Sequence, residues 1–176
     1  MNDWQDLVDL ERLALWMDTR GLESGPIEAP LRLTGGTQNL LLRFRRGTRE
    51  FVLRRPSREL CEVGSKTIAR EARLLKALAG SAVPHASLIA DCVDQDVLGA
   101  SFYLMEPVQG FNPNCAAGLP TPHAQQPSMR RRMGLAMVDA LLRLGEIDYR
   151  AVGLGDFGRP EGFHQRQVSR WLAQLD

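Results

Sequence analysis

Near the C-terminal end of the chain, Gly153 to Gly158 read GLGDFG. The spacing matches G-x-G-x-x-G, in which glycines let backbone N–H groups approach a dinucleotide pyrophosphate at a helix N-terminus. Its last three residues also spell a D-F-G, a sequence whose aspartate can hold magnesium in phosphoryl transfer. A second constellation lies upstream: Gly35 and Gly36 in LTGGTQN, Arg54 and Arg55 in FVLRRP, and Glu71 in IAREARLLKAL. A Gly-rich turn, a strand-borne cation and a helix-borne carboxylate, in that order, supply what phosphate binding needs. The glycines bring N–H groups to phosphate oxygens, the cation neutralises charge, and the carboxylate fixes the cation's rotamer.

Glu71 is the sharpest local signal. On a helix its surface neighbours stand three and four residues away, at Thr67, Ile68, Leu74 and Leu75. None is basic and three are apolar, so Glu71 lies on the stripe Ile68, Leu75, Leu78 that should face a core. A buried carboxylate needs a partner, and Arg54 and Arg55 on the preceding strand are the nearest candidates. Arg54 shares its strand face with Val52. The alternative is a Glu71 at the rim of the stripe, reaching water.

The elements that must position these groups follow from periodicity. Leu7, Leu10, Ala14 and Met17 recur at helical spacing, with Asn2 or Asp3 available as a cap and Gly21 as a stop. GLESGPIEAP reads as a connector. The period then changes to two: Leu40, Leu42 and Phe44 alternate with Leu41, Arg43 and Arg45, RGTR turns, and Phe51 and Leu53 alternate with Val52 and Arg54. That pattern predicts a β-hairpin after a Gly-Gly turn, ended by Pro56. A helix is predicted from about Ser65 to Gly80, and strands over Leu88–Val93 and Ser101–Met105 around a turn at 96–99. The remainder reads as helices only, after a Pro-rich loop, with SMRRRMGLAMVDALLRLGEI the longest. Strands gathered in the first part predict an α+β fold, an antiparallel sheet with a packed helix leading into a helical region.

In that frame both readings of GLGDFG fail. A dinucleotide fingerprint needs a strand before it and a helix opening from its glycines. EIDYRAV is a poor, charged strand, and Pro160 and Gly162 delay the next helix to about His164. The magnesium reading needs an upstream H-x-D-x-x-x-x-N, but His85, His123 and His164 all lack Asp two residues on. Asp156 is not assigned magnesium; its surroundings resemble a connector between two helices, which implies a loop or capping residue.

Composition narrows the class. With 44% hydrophobic and 24% charged residues and a net charge of +1 from 22 basic and 21 acidic side chains, the chain reads as soluble and globular. A nucleic-acid binder would carry surplus positive charge. The basic runs Arg43–Arg49 and Arg130–Arg132 fit the solvated ends of elements. Cys61, Cys92 and Cys115 are odd in number and form no C-x-x-C, so neither a disulfide framework nor a zinc site is suggested. The N-terminus is too acidic for a signal peptide and nothing reads as a membrane span, so no membrane partner and a cytoplasmic location are expected.

Six segments carry a resemblance: LTGGTQNLLLRF, FVLRRP, IAREARLLKAL, VPHASLI, SFYLMEPVQG and VGLGDFGRPEGFHQRQVSRW. In sequence order they resemble the N-terminal lobe of the protein-kinase-like superfamily. More narrowly, they look like the aminoglycoside phosphotransferase/choline kinase-type family, in the branch related to kinase domains of some acyl-CoA dehydrogenase fusion proteins. The resemblance implies a nucleotide-binding N-lobe over residues 1–107, then a hinge and partial helical C-lobe over 108–176. It implies that Gly35, Gly36, Thr37 and Asn39 form the nucleotide-covering turn, that Arg54 stands where kinases carry the strand-three lysine, and that Glu71 is its partner. Val52 and Met105 would line the site, and the Glu106 carbonyl and Val108 N–H would read adenine. Pro107, between them, is not asked for an N–H.

ATP and Mg2+ are the implied cofactors, and a small hydroxylated metabolite the implied acceptor. The resemblance also implies that the chain ends before the catalytic-loop base and the metal-binding residues, so that this portion alone is expected to be inactive. Exposed apolar faces of an unfinished helical lobe would favour self-association. A non-catalytic nucleotide-binding or interaction module, and a plain α+β domain in which Arg54 and Glu71 are only a structural pair, stand as the alternatives.

Overall fold

A computed structural model describes residues 4–33, 38–58, 61–113, 118–159 and 161–173. The elements are α1 (Leu10–Thr19), β1 (Ile27–Leu33), β2 (Asn39–Arg46), β3 (Arg49–Pro56), α2 (Cys61–Leu78), β4 (Leu88–Cys92), α3 (Gln95–Leu98), β5 (Phe102–Met105), α4 (Pro127–Gly145) and α5 (Phe163–Leu172). The five strands form one sheet in the order β1-β2-β3-β5-β4, and every neighbouring pair is antiparallel. The architecture is α+β, as the period change along the sequence predicts.

Strand alternation sends successive residues of each strand to opposite layers. Leu40, Leu42 and Phe44 of β2, with Phe51 and Leu53 of β3, face α1 and join Leu13, Trp16, Met17, Phe102 and Leu104 in the main core. Residues between them face the opposite side, where α2 packs Ile68, Ala72 and Leu75 against Tyr103, Leu88 and Met105. Removing a side chain such as Ile68 from water contributes about 1.5–3 kcal/mol, so this small second core is enough to seat the helix.

Four local features differ from the sequence expectation. α1 begins at Leu10, where Asp9 Oδ1 accepts from the N–H groups of Glu11 (3.0 Å) and Arg12 (3.1 Å); Asn2 and Asp3 lie outside the described residues. Gly21 does stop that helix, at φ +65°. The expected connector contains a strand, β1, which the sequence pattern hides. Pro30 sits inside it and Ala29 adopts φ +48° at a register shift between Glu28 and Leu31. Both are tolerated because β1 is an edge strand with a bulge. α2 starts at Cys61 rather than near Ser65, and the turn at 96–99 is the short helix α3, closed by Gly99 at φ +77°.

Charge placement differs as well. Arg46, in a run expected to be solvated, is 1% exposed. Its Nε donates to the Gly25 carbonyl (2.9 Å), Nη1 to that of Leu22 (3.2 Å), and Nη2 to Asp18 Oδ1 (2.5 Å). It ties the α1–β1 connector to the sheet. The helical region is open by contrast: Leu135, Val138 and Leu141 of α4 and Val168, Trp171 and Leu172 of α5 are exposed. Among the described residues no helix is long and apolar enough to cross a membrane.

Arg46→Met leaves two connector carbonyls and Asp18 without their donor. It is expected to lower stability by about 2–4 kcal/mol, read as a shifted urea midpoint with an unchanged slope.

Candidate functional site

The register of β3 decides which arginine meets Glu71. Arg54 pairs across the sheet with Leu41 on one side and Tyr103 on the other, on the face that carries α2. Its Nε donates to Glu71 Oε2 (2.8 Å) and its Nη2 to Glu71 Oε1 (3.1 Å), a two-pronged contact. Such a contact uses the planar fork of a guanidinium and matches it to a carboxylate. Arg55, one residue on, points the other way. It is 2% exposed, donates through Nη1 to the carbonyls of Leu98 (2.9 Å) and Leu7, and lies 3.7 Å from Cys61 Sγ. Burial pushes its pKa down from the usual arginine value. Arg55 is therefore a structural tie, and the pairing left open between the two arginines resolves to Arg54.

Two further residues complete the Arg54 shell. Tyr103 Oη donates to Glu71 Oε2 at 3.2 Å. Burial pushes the Tyr103 phenol well above its ordinary pKa, so the hydroxyl stays protonated and keeps donating. With the Asn39 amide oriented so that both ends are paired, its Oδ1 accepts from Arg54 Nη2 (3.0 Å) and its Nδ2 donates to the Gln38 carbonyl (3.3 Å). Nε and Nη2 of Arg54 are thereby engaged, and Nη1 has no hydrogen-bond partner among the described residues. The Arg54 and Glu71 side chains remain 26% and 30% exposed, so a ligand can reach the cation without unfolding anything. The alternative of a Glu71 reaching only water is excluded.

Beside this pair lies a cleft of about 440 Å³, lined by Leu33, Arg43 and Val52 from the sheet and by residues 107–112 beyond β5. Val52 stands two residues before Arg54 on the same strand face, roughly 7 Å away along the strand. Its cross-strand partner Met105 is half-buried beneath α2. Glu106 N–H is committed to the Ser87 carbonyl (2.9 Å), whereas the Glu106 carbonyl and Val108 N–H make no backbone hydrogen bond among the described residues. Arg43, which the sequence pattern groups with solvated charges, lines this cleft and is held by both carboxylate oxygens of Glu50 at 2.7 Å. The structure thus brings Asn39, Val52, Arg54, Glu71 and Met105 to one face, with Glu106 and Val108 at its edge. Gly35, Gly36 and Thr37 lie outside the described residues.

GLGDFG does not form a dinucleotide turn. Residues 146–153 contain no strand, with turns at 149–153, and the next helix opens at Phe163. Asp156 pairs with Arg73, whose hydrogen bonds hold its carboxyl below the usual range. Among the described residues no three His, Cys, Asp or Glu side chains converge as a metal site.

Comparison with known proteins gives a consistent picture. The family model "Phosphotransferase enzyme family" matches residues 31–176. Mouse acyl-CoA dehydrogenase family member 10 is 32% identical over 151 residues, covering 86% of this chain and 14% of that protein. Chicken acyl-CoA dehydrogenase family member 11 is 32% identical over 145 residues, covering 81% and 18%. A solved Ralstonia eutropha structure, designated an aminoglycoside phosphotransferase, superposes with a TM-score of 0.74 at 32% identity over 94% of this chain and 46% of that one. The chain therefore spans less than a fifth of these two curated relatives and under half of the solved one.

Tyr103→Phe removes one donor to Glu71 while keeping the ring. Its expected cost is about 0.5–1.5 kcal/mol in urea unfolding at pH 7. Because the folded phenol titrates above its unfolded value of about 10, its stabilisation is complete below that pH and is lost as pH rises further. The parent should weaken above about pH 10 more steeply than the Phe variant.

Proposed function

The chain belongs to the phosphotransferase enzyme family, and from that membership we propose that it forms the nucleotide-binding portion of an ATP-dependent enzyme acting on a hydroxyl of a small molecule. The observation that carries the reading is the Arg54 guanidinium, oriented by Glu71, Tyr103 and Asn39 with one terminal nitrogen uncommitted, beside a cleft of nucleotide size. A preset cation of this kind neutralises phosphate charge with little reorganisation on binding. Leu33, Val52 and the aliphatic stem of Arg43 offer apolar surface to a base. The Glu106 carbonyl and Val108 N–H supply an acceptor and a donor for its edge. In this reading the division into lobes falls at residues 107 and 108.

The chemistry supplied by Mg2+ is charge neutralisation between phosphates. Glu71, the acid nearest Arg54, is already committed to Arg54 and Tyr103. We therefore assign the metal ligands, and the base that accepts the hydroxyl proton, to catalytic-loop residues outside these 176, since no H-x-D-x-x-x-x-N occurs within them. What these residues do is bind and orient the nucleotide; they carry no proton transfer. A non-catalytic binding module is the second reading, drawing on the exposed apolar faces of α4 and α5. Sequencing the native coding region past codon 176, with an intact mass of the native protein, separates the two.

Calorimetric titration tests the site itself. MgATP is expected to bind the parent, and Arg54→Ala to weaken it by about tenfold or more while adenosine binding changes little. Binding of MgATP that ignores Arg54→Ala would contradict the phosphate assignment.

A further inference from the structure

The GLGDFG segment remains without a role in nucleotide binding, yet it receives four hydrogen bonds from α2. Arg73 of α2 donates through Nη1 to Asp156 Oδ2 (3.1 Å) and through Nη2 to the Gly153 carbonyl (2.6 Å) and Asp156 Oδ1. Arg70, one turn earlier, donates to the Phe157 carbonyl (2.8 Å), and its guanidinium carbon lies 4.3 Å from the centroid of the Phe157 ring. The turn that receives them is internally braced. Leu154 N–H donates to the Tyr149 carbonyl (2.7 Å), Phe157 N–H to that of Leu154 (3.0 Å), and Leu154 itself is buried.

Arg70 and Arg73 occupy the side of α2 opposite the sheet-facing stripe Ile68, Ala72, Leu75, because three to four residues separate neighbours on one face. The helix is thus gripped from both sides, with Glu71 between. Its rotation about its own axis sets where the Glu71 carboxylate falls. With side chains ending about 6 Å from the axis, a turn of roughly 20° moves that carboxylate by about 2 Å, enough to break the two-pronged contact with Arg54. Apolar burial is non-directional and chiefly sets which face of α2 meets the sheet. Directional hydrogen bonds on the far side resist such a rotation well.

We propose that Arg73 and Asp156 are positioning residues: the GLGDFG turn latches α2 in the rotation that presents Glu71 to Arg54. The consequence for phosphate binding rests on the nucleotide reading above; the positioning of α2 does not. The ion pair is exposed and would contribute little as an isolated contact. Its effect comes from acting with the two carbonyl contacts and the Phe157 ring as one unit.

The test uses Arg73→Ala, Asp156→Ala and the double variant in the 176-residue chain, each checked for a native circular-dichroism spectrum. Two readouts are taken: affinity for MgATP against adenosine, and amide hydrogen exchange across α2 in the free protein. A latch predicts faster exchange around residues 68–75 and a MgATP affinity lowered by about fivefold with adenosine unchanged, and it predicts that the double variant is no worse than Arg73→Ala alone, which already removes every Arg73 contact. Equal losses for both ligands, additive effects of the two substitutions, or unchanged exchange would overturn it. If the parent binds no nucleotide, the nucleotide reading fails, and the exchange readout alone decides the latch: faster, non-additive exchange upholds it and unchanged exchange rejects it.

Discussion

A carboxylate placed on the sheet-facing side of a helix cannot stay there without a cation, and much of this fold can be understood as the means of delivering one. Glu71 and Arg54 meet through two hydrogen bonds because three separate conditions hold together. The period of β3 puts Arg54 on the α2 side of the sheet, the cross-strand register sets Tyr103 opposite it, and the apolar stripe of α2 turns Glu71 inward. Shifting β3 by one residue would send Arg54 into the α1 core and bring Arg55 to Glu71, exchanging a ligand-accessible cation for a buried structural one.

The same alternation distributes the arginines of the hairpin among different tasks. Arg46 and Arg55 lie on the α1 side and each donates to two main-chain carbonyls, closing the ends of loops that lack regular partners. Arg43 and Arg54 lie on the other side, each held by a carboxylate and each still reachable from solvent. Composition counts these residues as equivalent positive charges. Their strand positions make two of them tie points and two of them candidate ligand contacts.

How much of this can be read from residue order depends on the range of the interaction. The hairpin, α2 and the inward turn of Glu71 follow from periodicity within a few residues, and they are legible. The choice between Arg54 and Arg55 needs only strand parity, and the resemblance to kinase-like lobes points the same way. β1 is hidden because the composition of its connector, with Gly25, Pro26 and Pro30, argues against a strand unless the strand is known to lie at an edge. Tyr103 as a partner of Glu71 and Arg46 as a buried tie depend on register across 32 and 28 residues of chain, which no local pattern encodes. Asp156 reads as a loop residue from its own neighbours, but its partner Arg73 lies 83 residues away. Of the residues expected to form a nucleotide-covering turn, only Asn39 falls among the described ones.

Whether the fold presets Arg54 to receive phosphate is tested most directly by a crystal structure of the chain with a non-hydrolysable ATP analogue. The expected result is a phosphate oxygen within hydrogen-bond distance of Arg54 Nη1, the base between Val52 and residues 106–108, and the Arg54–Glu71 contact unchanged from the free protein. A nucleotide seated elsewhere, or one whose phosphates leave Arg54 untouched, would contradict it.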